Sequence, residues 1–228
     1  MQKKIYKILV LVLVIFALTS CTKKDNIIFK ENYESLNGTT NKNGKEHRTV
    51  TINKHNAIVI SDAKEIVEKI ENEDTFYVYF GSNLCPWCRS VIEKAIEVSN
   101  NNEVDKIYYV DIWDSEGNEI LRDKYSLGEN NTPVKEIEGT EEYYKLLSYF
   151  DNLLEDYTYE LDGQKLSYGE KRIYAPTFFY ISKGKAVRMT TGISDSQKDA
   201  REELTEEILK DEEQKFDDFF INVCDESC

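Results

Sequence analysis

The stretch Thr75-Phe76-Tyr77-Val78-Tyr79-Phe80-Gly81-Ser82-Asn83-Leu84-Cys85-Pro86-Trp87-Cys88-Arg89 joins a strand signal, a turn and a pair of thiols. Residues 75–80 are aromatic or β-branched and carry no charge, the composition of a central strand covered on both faces. Gly81-Ser82-Asn83 ends it. Beyond the cysteines, Val91, Ile92, Ala95 and Ile96 stand at core spacing while Glu93 and Lys94 point away, which predicts a helix from Cys85 to about Ser99. Both sulfurs therefore belong to a first helical turn, where unpaired backbone N–H groups and the helix dipole stabilise an anion. A thiolate is the anion that thiol exchange needs.

Working outward, Ala57 to Ile60 reads as a short strand. Asp62 with Glu65 then opens a helix whose Ala63, Ile66, Val67 and Ile70 share one face. Ile107-Tyr-Tyr-Val-Asp-Ile112 supplies another strand. Further along, residues 177–181 and 186–190 flank Ser182-Lys183-Gly184-Lys185, a hairpin signal. An acidic helix follows, with Leu204, Ile208, Leu209, Phe216, Phe219 and Phe220 as its apolar side. The expected fold class is α/β, a mixed sheet flanked by helices. Residues from about 115 to 170 exceed that plan. They contain a loop at residues 128–133 and a predicted helix from Glu141 to about Tyr157, with Tyr143, Leu146, Leu147, Phe150, Leu153 and Leu154 on one side. This reads as a helical insertion before the hairpin, and its stripe either packs inward or offers a partner a contact surface.

The chain has 228 residues and a formal charge of -14, with no basic patch, which argues against a nucleic-acid partner. Its N-terminus is basic and then apolar from Ile8 to Leu18, too short a run to span a bilayer. Leu18-Thr19-Ser20-Cys21 resembles a bacterial lipobox. That resemblance implies a signal peptide over 1–20, cleavage before Cys21, and a lipid on its sulfur that anchors the protein to the extracytoplasmic face of the cell membrane. Ordinary secretory cleavage and an uncleaved anchor are the alternatives. Loss of Lys3, Lys4 and Lys7 with the signal would take the charge from -14 to -17. Residues 21–54 read as a polar tether, partly docked because Phe29, Tyr33 and Leu36 recur at helical spacing. The domain proper spans 55–228. His47 and His55, in or beside the tether, are expected at the surface.

With Cys21 acylated, four cysteines remain as two close pairs. Cys85, at the helix tip, is expected to be the accessible nucleophile, and Cys88, facing the core positions, the resolving thiol. Pro86 suits the first helical turn, and Trp87 either flanks the sulfur or simply packs. Cys224 and Cys228 read as a disulfide tying down the tail or as a second dithiol that exchanges with the first. A structural zinc site joining all four cysteines is the non-redox alternative. Otherwise no cofactor is expected.

Residues 77–89, together with Ala175-Pro176-Thr177 before the hairpin, resemble the thioredoxin superfamily over roughly residues 55–223. The resemblance implies a thioredoxin-like sheet, a cis-proline at Pro176 against the Cys-x-x-Cys loop, and an Ala175 backbone offered to an extended substrate segment. More narrowly, the chain is similar to membrane-tethered thioredoxin-like proteins of Gram-positive bacteria, including bacteriocin transport accessory proteins, through Cys-Pro-aromatic-Cys and Arg172 to Thr177. The implied activity is thiol–disulfide exchange with protein or peptide thiols and disulfides outside the cytoplasm, the pair being reset by a membrane redox partner. An accessory protein that holds an exported peptide or envelope partner without redox turnover is the rival. The direction of exchange is not encoded in these residues. Tyr79 departs from the family, many of whose members bury an acid there. Glu93, Asp111 or water could then serve Cys88, and the sequence assigns none of them.

Overall fold

The structure, a computed structural model, describes residues 24–221, which include a five-stranded mixed sheet with helices on both faces. Cys21, Cys224, Cys228 and the apolar N-terminal run lie outside the described residues. In chain order the elements are α1 (Asp25–Glu34), β1 (Ile58–Ser61), α2 (Ala63–Glu71), β2 (Phe76–Gly81), α3 (Pro86–Asn101), β3 (Ile107–Asp111), β4 (Lys124–Leu127) and β5 (Pro133–Ile137), then α4 (Glu141–Phe150), β6 (Glu155–Leu161), β7 (Gln164–Arg172), β8 (Thr177–Ser182), β9 (Lys185–Thr190) and α5 (Glu206–Phe220). Among the described residues no helix is long and apolar enough to cross a membrane.

The main sheet runs β1-β3-β2-β8-β9. β1 and β2 pair with β3 in parallel, whereas β8 lies antiparallel to β2 and β9 antiparallel to β8. Alternation along the strands sends neighbouring side chains to opposite faces. Tyr79 and Phe178 enter one core with Phe29 and Tyr33 of α1, Val91 and Ile92 of α3, and Phe216 and Phe220 of α5. Val78, Phe80 and Phe179 enter the other with Ile66 and Ile70 of α2 and Leu146 and Phe150 of α4. β2 is thus the central strand its composition predicts, and its C-terminal end delivers the chain to the cysteines. Asp62, Thr140 and Thr205 cap their helices by accepting the N–H groups of Glu65, Tyr143 and Ile208.

Three expectations change. The helix expected from Glu141 to about Tyr157 stops at Phe150, and residues 155–172 form a separate two-stranded sheet, as do β4 and β5. The insertion is therefore two hairpins around one helix. Asp162-Gly163, with φ of 50° and 76°, makes the turn between β6 and β7. Second, residues 25–54 are more fully docked than a tether: Phe29, Tyr33, Val50 and Ile52 are all buried, although Leu36 is only half-buried. Third, His47 is only 8% exposed, because the chain folds back through a Thr40–Glu46 bridge and the His47 N–H donates to the Thr39 carbonyl. His55 is exposed. In α5, Leu209 is half-buried and Leu204 precedes the helix.

Candidate active site

Gly81 ends β2, and the Cys85 N–H donates to the Ser82 carbonyl at 3.1 Å, closing a turn that leads directly into α3. Cys85 is the N-cap of that helix, in extended backbone conformation, and Pro86 occupies the first turn, where its missing N–H removes no helical bond. The Cys88 N–H donates to Cys85 Sγ at 3.4 Å, so the sulfur occupies the place where a capping oxygen ordinarily sits. Both thiols are free.

The stretch before β8, the strand paired antiparallel with β2, arrives at the same point. The Ala175–Pro176 peptide bond is cis, and the Ala175 carbonyl accepts from Cys85 Sγ at 3.5 Å. Thr177 pairs with Phe80 across the sheet, and its hydroxyl donates to the Tyr174 carbonyl at 2.7 Å. Cys85, Cys88, Ala175, Pro176 and Thr177 are therefore brought together. Trp87 is half-buried and lines a groove of about 410 Å³ with Pro176, Thr177, Tyr174, Met189 and Thr158. One wall of that groove belongs to the β6–β7 hairpin. Cys85 is less accessible than expected, at 4% exposure, since Ala175 and Trp87 pack against the cluster that holds it. Cys88 is fully buried.

Electrostatics separates the two thiols. The Cys88 side chain hydrogen-bonds the Cys85 sulfur and holds its pKa below the ordinary value; the N–H groups of Cys88 and Trp87 and the Arg122 guanidinium act the same way, against burial. Burial first, then Cys85 alongside, pushes the Cys88 thiol well up. The pair thus joins a cap whose thiolate is favoured to an enclosed thiol whose thiolate is disfavoured, an arrangement suited to exchange through a mixed disulfide.

Residues with no role assigned from sequence complete the site. Arg89 is fully buried and donates to the carbonyls of Tyr33, Arg48 and Asn83 and to Asn37 Oδ1, clamping residues 33–48 onto the cysteine helix. Arg172 donates to the Asp123 carbonyl at 2.8 Å and pairs with Asp123 and Glu119, while Arg122 donates to the Ile173 carbonyl at 3.1 Å. Together they fix the run from Arg172 into Pro176. The Tyr33 and Tyr79 hydroxyls are hydrogen-bonded at 2.9 Å beside Cys88. Of the carboxylates considered for Cys88, Glu93 accepts the Thr51 N–H, and Asp111 accepts the Tyr109 hydroxyl at 2.9 Å. Burial raises the Asp111 pKa. Among the described residues no group of three or more His, Cys, Asp and Glu side chains could hold a metal ion. Cys224 and Cys228, which the zinc alternative needs, lie outside those residues.

No protein-family model matches the chain, and a search of curated proteins finds no match.

Proposed function

We propose that this chain is a thioredoxin-like thiol–disulfide oxidoreductase acting on protein or peptide substrates through Cys85 and Cys88. The observation that carries the reading is Cys85 as the N-cap of α3, with the Cys88 N–H on its sulfur at 3.4 Å and the Ala175 carbonyl of the cis Ala175–Pro176 bond 3.5 Å away. The strand order β1-β3-β2-β8-β9, with the cysteines following the central strand, supports the thioredoxin-like assignment. In the reducing direction, Cys85 thiolate attacks a substrate disulfide and expels one substrate sulfur. Cys88 then attacks Cys85 Sγ, the Cys85–Cys88 bond forms, and the second substrate sulfur leaves with the proton Cys88 gives up. The pair loses two electrons and the substrate gains two. The oxidising direction is the reverse. On this reading Cys21 carries the lipid anchor, the chemistry takes place on the extracytoplasmic side, and a membrane redox partner resets the pair.

The 4% exposure of Cys85 favours one competing reading, in which the scaffold holds a peptide in the groove beside Trp87 without turnover. One titration separates the two. The full-length protein is equilibrated with reduced and oxidised glutathione at fixed ratios, alkylated, and weighed by mass spectrometry. The oxidoreductase reading expects reversible interconversion of Cys85 and Cys88 with one midpoint, lost in Cys85→Ser. Thiols that stay reduced at every ratio would leave only the binding role.

A further inference from the structure

Cys88 is the harder half of the pair to operate. Ring closure needs its sulfur as nucleophile, ring opening needs it to depart as thiolate, and the structure encloses it completely. The groups facing it are Cys85 at the helix cap, the Ser82 N–H in the loop, Tyr79 from β2, Tyr33 from α1, and Tyr109 from β3, the last tied to Asp111. Arg89, the next residue, spends its donors on the carbonyls of Tyr33, Arg48 and Asn83 and on Asn37. Arg122 acts on Cys85.

Tyr79 stands out in this ring of neighbours. Its hydroxyl interacts with the Cys88 side chain and lies 2.9 Å from the Tyr33 hydroxyl. The Tyr79 ring cannot readily swing away. It stacks on Phe178 with centroids 4.3 Å apart and planes within 8°, and packs on Tyr109 at 5.3 Å. Gly81, on the same face of β2, leaves the space: a Cβ there would lie 2.3 Å from Tyr79 Cζ and from its hydroxyl oxygen.

We propose that Tyr79 is a catalytic hydrogen-bond donor to the Cys88 sulfur and that Tyr33, from the segment preceding the sheet, is the positioning residue that orients it. Each donor then has one acceptor in sequence: the Tyr33 O–H donates to Tyr79 Oη, and the Tyr79 O–H donates to Cys88 Sγ. As Cys88 attacks Cys85 Sγ of the mixed disulfide, the new S–S bond forms, the Cys85–substrate bond breaks with its electron pair on the substrate sulfur, and the Cys88 proton ends on that sulfur. In the reverse step the donor receives the negative charge developing on the departing Cys88. Tyr79 keeps its own proton throughout, because burial holds its pKa well above the ordinary tyrosine value. It acts as a fixed dipole aimed at the charge, and a dipole in a dry site needs no reorganisation as the charge appears. This proposal rests on the thiol-exchange reading and deepens it.

The test follows two releases of thionitrobenzoate when the reduced full-length chain, with Cys21, Cys224 and Cys228 replaced by Ser, is mixed with Ellman's reagent. The first, second-order release reports attack by Cys85, and the second, first-order release reports closure by Cys88. Tyr79→Phe is expected to slow the second release about tenfold and to move its pH midpoint upward, as loss of one hydrogen bond to a charged group implies, while the first release stays within about twofold. Tyr33→Phe is expected to slow the second release about threefold, and the double variant to be no slower than Tyr79→Phe, because Tyr33 acts through Tyr79. Tyr33→Phe also keeps the test open if Tyr79→Phe folds poorly. An unchanged second release in both variants overturns the proposal, as does a parallel slowing of both releases that follows thermal stability. Absence of the first release in the parent with Tyr33 and Tyr79 intact and the same three Ser replacements would instead remove the thiol-exchange reading itself.

Discussion

Replacing Arg89 with Met tests how firmly the N-terminal segment is built into the cysteine face. The guanidinium is fully buried, and its acceptors are the carbonyls of Tyr33, Arg48 and Asn83 with Asn37 Oδ1, at 2.7 to 3.3 Å where Nε and Nη1 donate and 2.8 Å to Asn37. Hydrogen bonds to a charged group contribute about 1.5–3 kcal/mol each, so four acceptors correspond to about 6 kcal/mol or more. Removing the charge recovers its burial penalty, several kcal/mol in the opposite direction. Met fills much of the volume but satisfies none of the acceptors, which leaves a net loss of about 3 kcal/mol, a large part of the roughly 5–15 kcal/mol typical of a domain. Urea unfolding followed by circular dichroism measures it. Limited chymotrypsin digestion adds a local readout, because release of α1 exposes Phe29 and Tyr33 to cleavage before the sheet opens. A loss below about 1 kcal/mol, or cleavage at Phe29 and Tyr33 no faster than in the unsubstituted chain, would refute the clamp.

Iodoacetamide should alkylate Cys85 with a pH midpoint below that of an ordinary cysteine and leave Cys88 unmodified in the folded protein; peptide mapping across a pH series reads both, and equal labelling of the two would contradict the assignment. Glu212 is fully buried with no hydrogen-bond partner on either carboxylate oxygen, and burial pushes its pKa up to about 8. Its folded pKa exceeds the unfolded value, so its contribution to stability is present at low pH and is lost between about pH 4.5 and 8. Glu212→Gln should therefore gain stability over the wild type as pH rises, levelling off above about pH 8 at a few kcal/mol; urea midpoints that run parallel from pH 5 to 9 would sink this. Gly184→Ala should cost about 2 kcal/mol or more by thermal unfolding, since φ is 72° there and a Cβ would sit 2.5 Å from the Ile70 carbonyl oxygen, whereas a neutral result would mean that the hairpin relaxes freely.

Residues 57–111 and the β8–β9 hairpin were legible because each element satisfies its period locally. Val78, Tyr79 and Phe80 are apolar on both faces, and Ile66, Val67 and Ile70 form one stripe. The insertion misled because Leu153 and Leu154 extend the helical spacing of α4 past Phe150, where the helix ends. A period-two signal was available in Tyr157, Tyr159 and Leu161, followed by Asp162-Gly163, a dipeptide suited to a two-residue hairpin turn. Cys85 and Cys88 could be placed at the head of α3 from sequence because the strand signal before them and the core spacing after them locate the helix start. Arg89 and Tyr33 could not, since nothing local says that the Tyr33 and Arg48 carbonyls come to Arg89 from 56 and 41 residues away. Composition also understated the docking of residues 25–54: they read as a polar tether only partly docked, yet the Asn37 side chain both accepts from and donates to Val50.

The docked N-terminal helix bears on where the chemistry can happen. Asp25 at its start accepts the Ile60 N–H, so α1 is fastened to the edge of the sheet from its first residue. With a lipid on Cys21, only residues 22–24 would link the bilayer to the folded body, a reach of about 10–14 Å at full extension. From Asp25 to Tyr33 the helix then rises about 12 Å. If the proposed anchor and exchange activity hold, such a short leash would set a ceiling on the height of the cysteine pair above the headgroups, and substrate proteins whose thiols project beyond that height would be out of range however well they fit the groove.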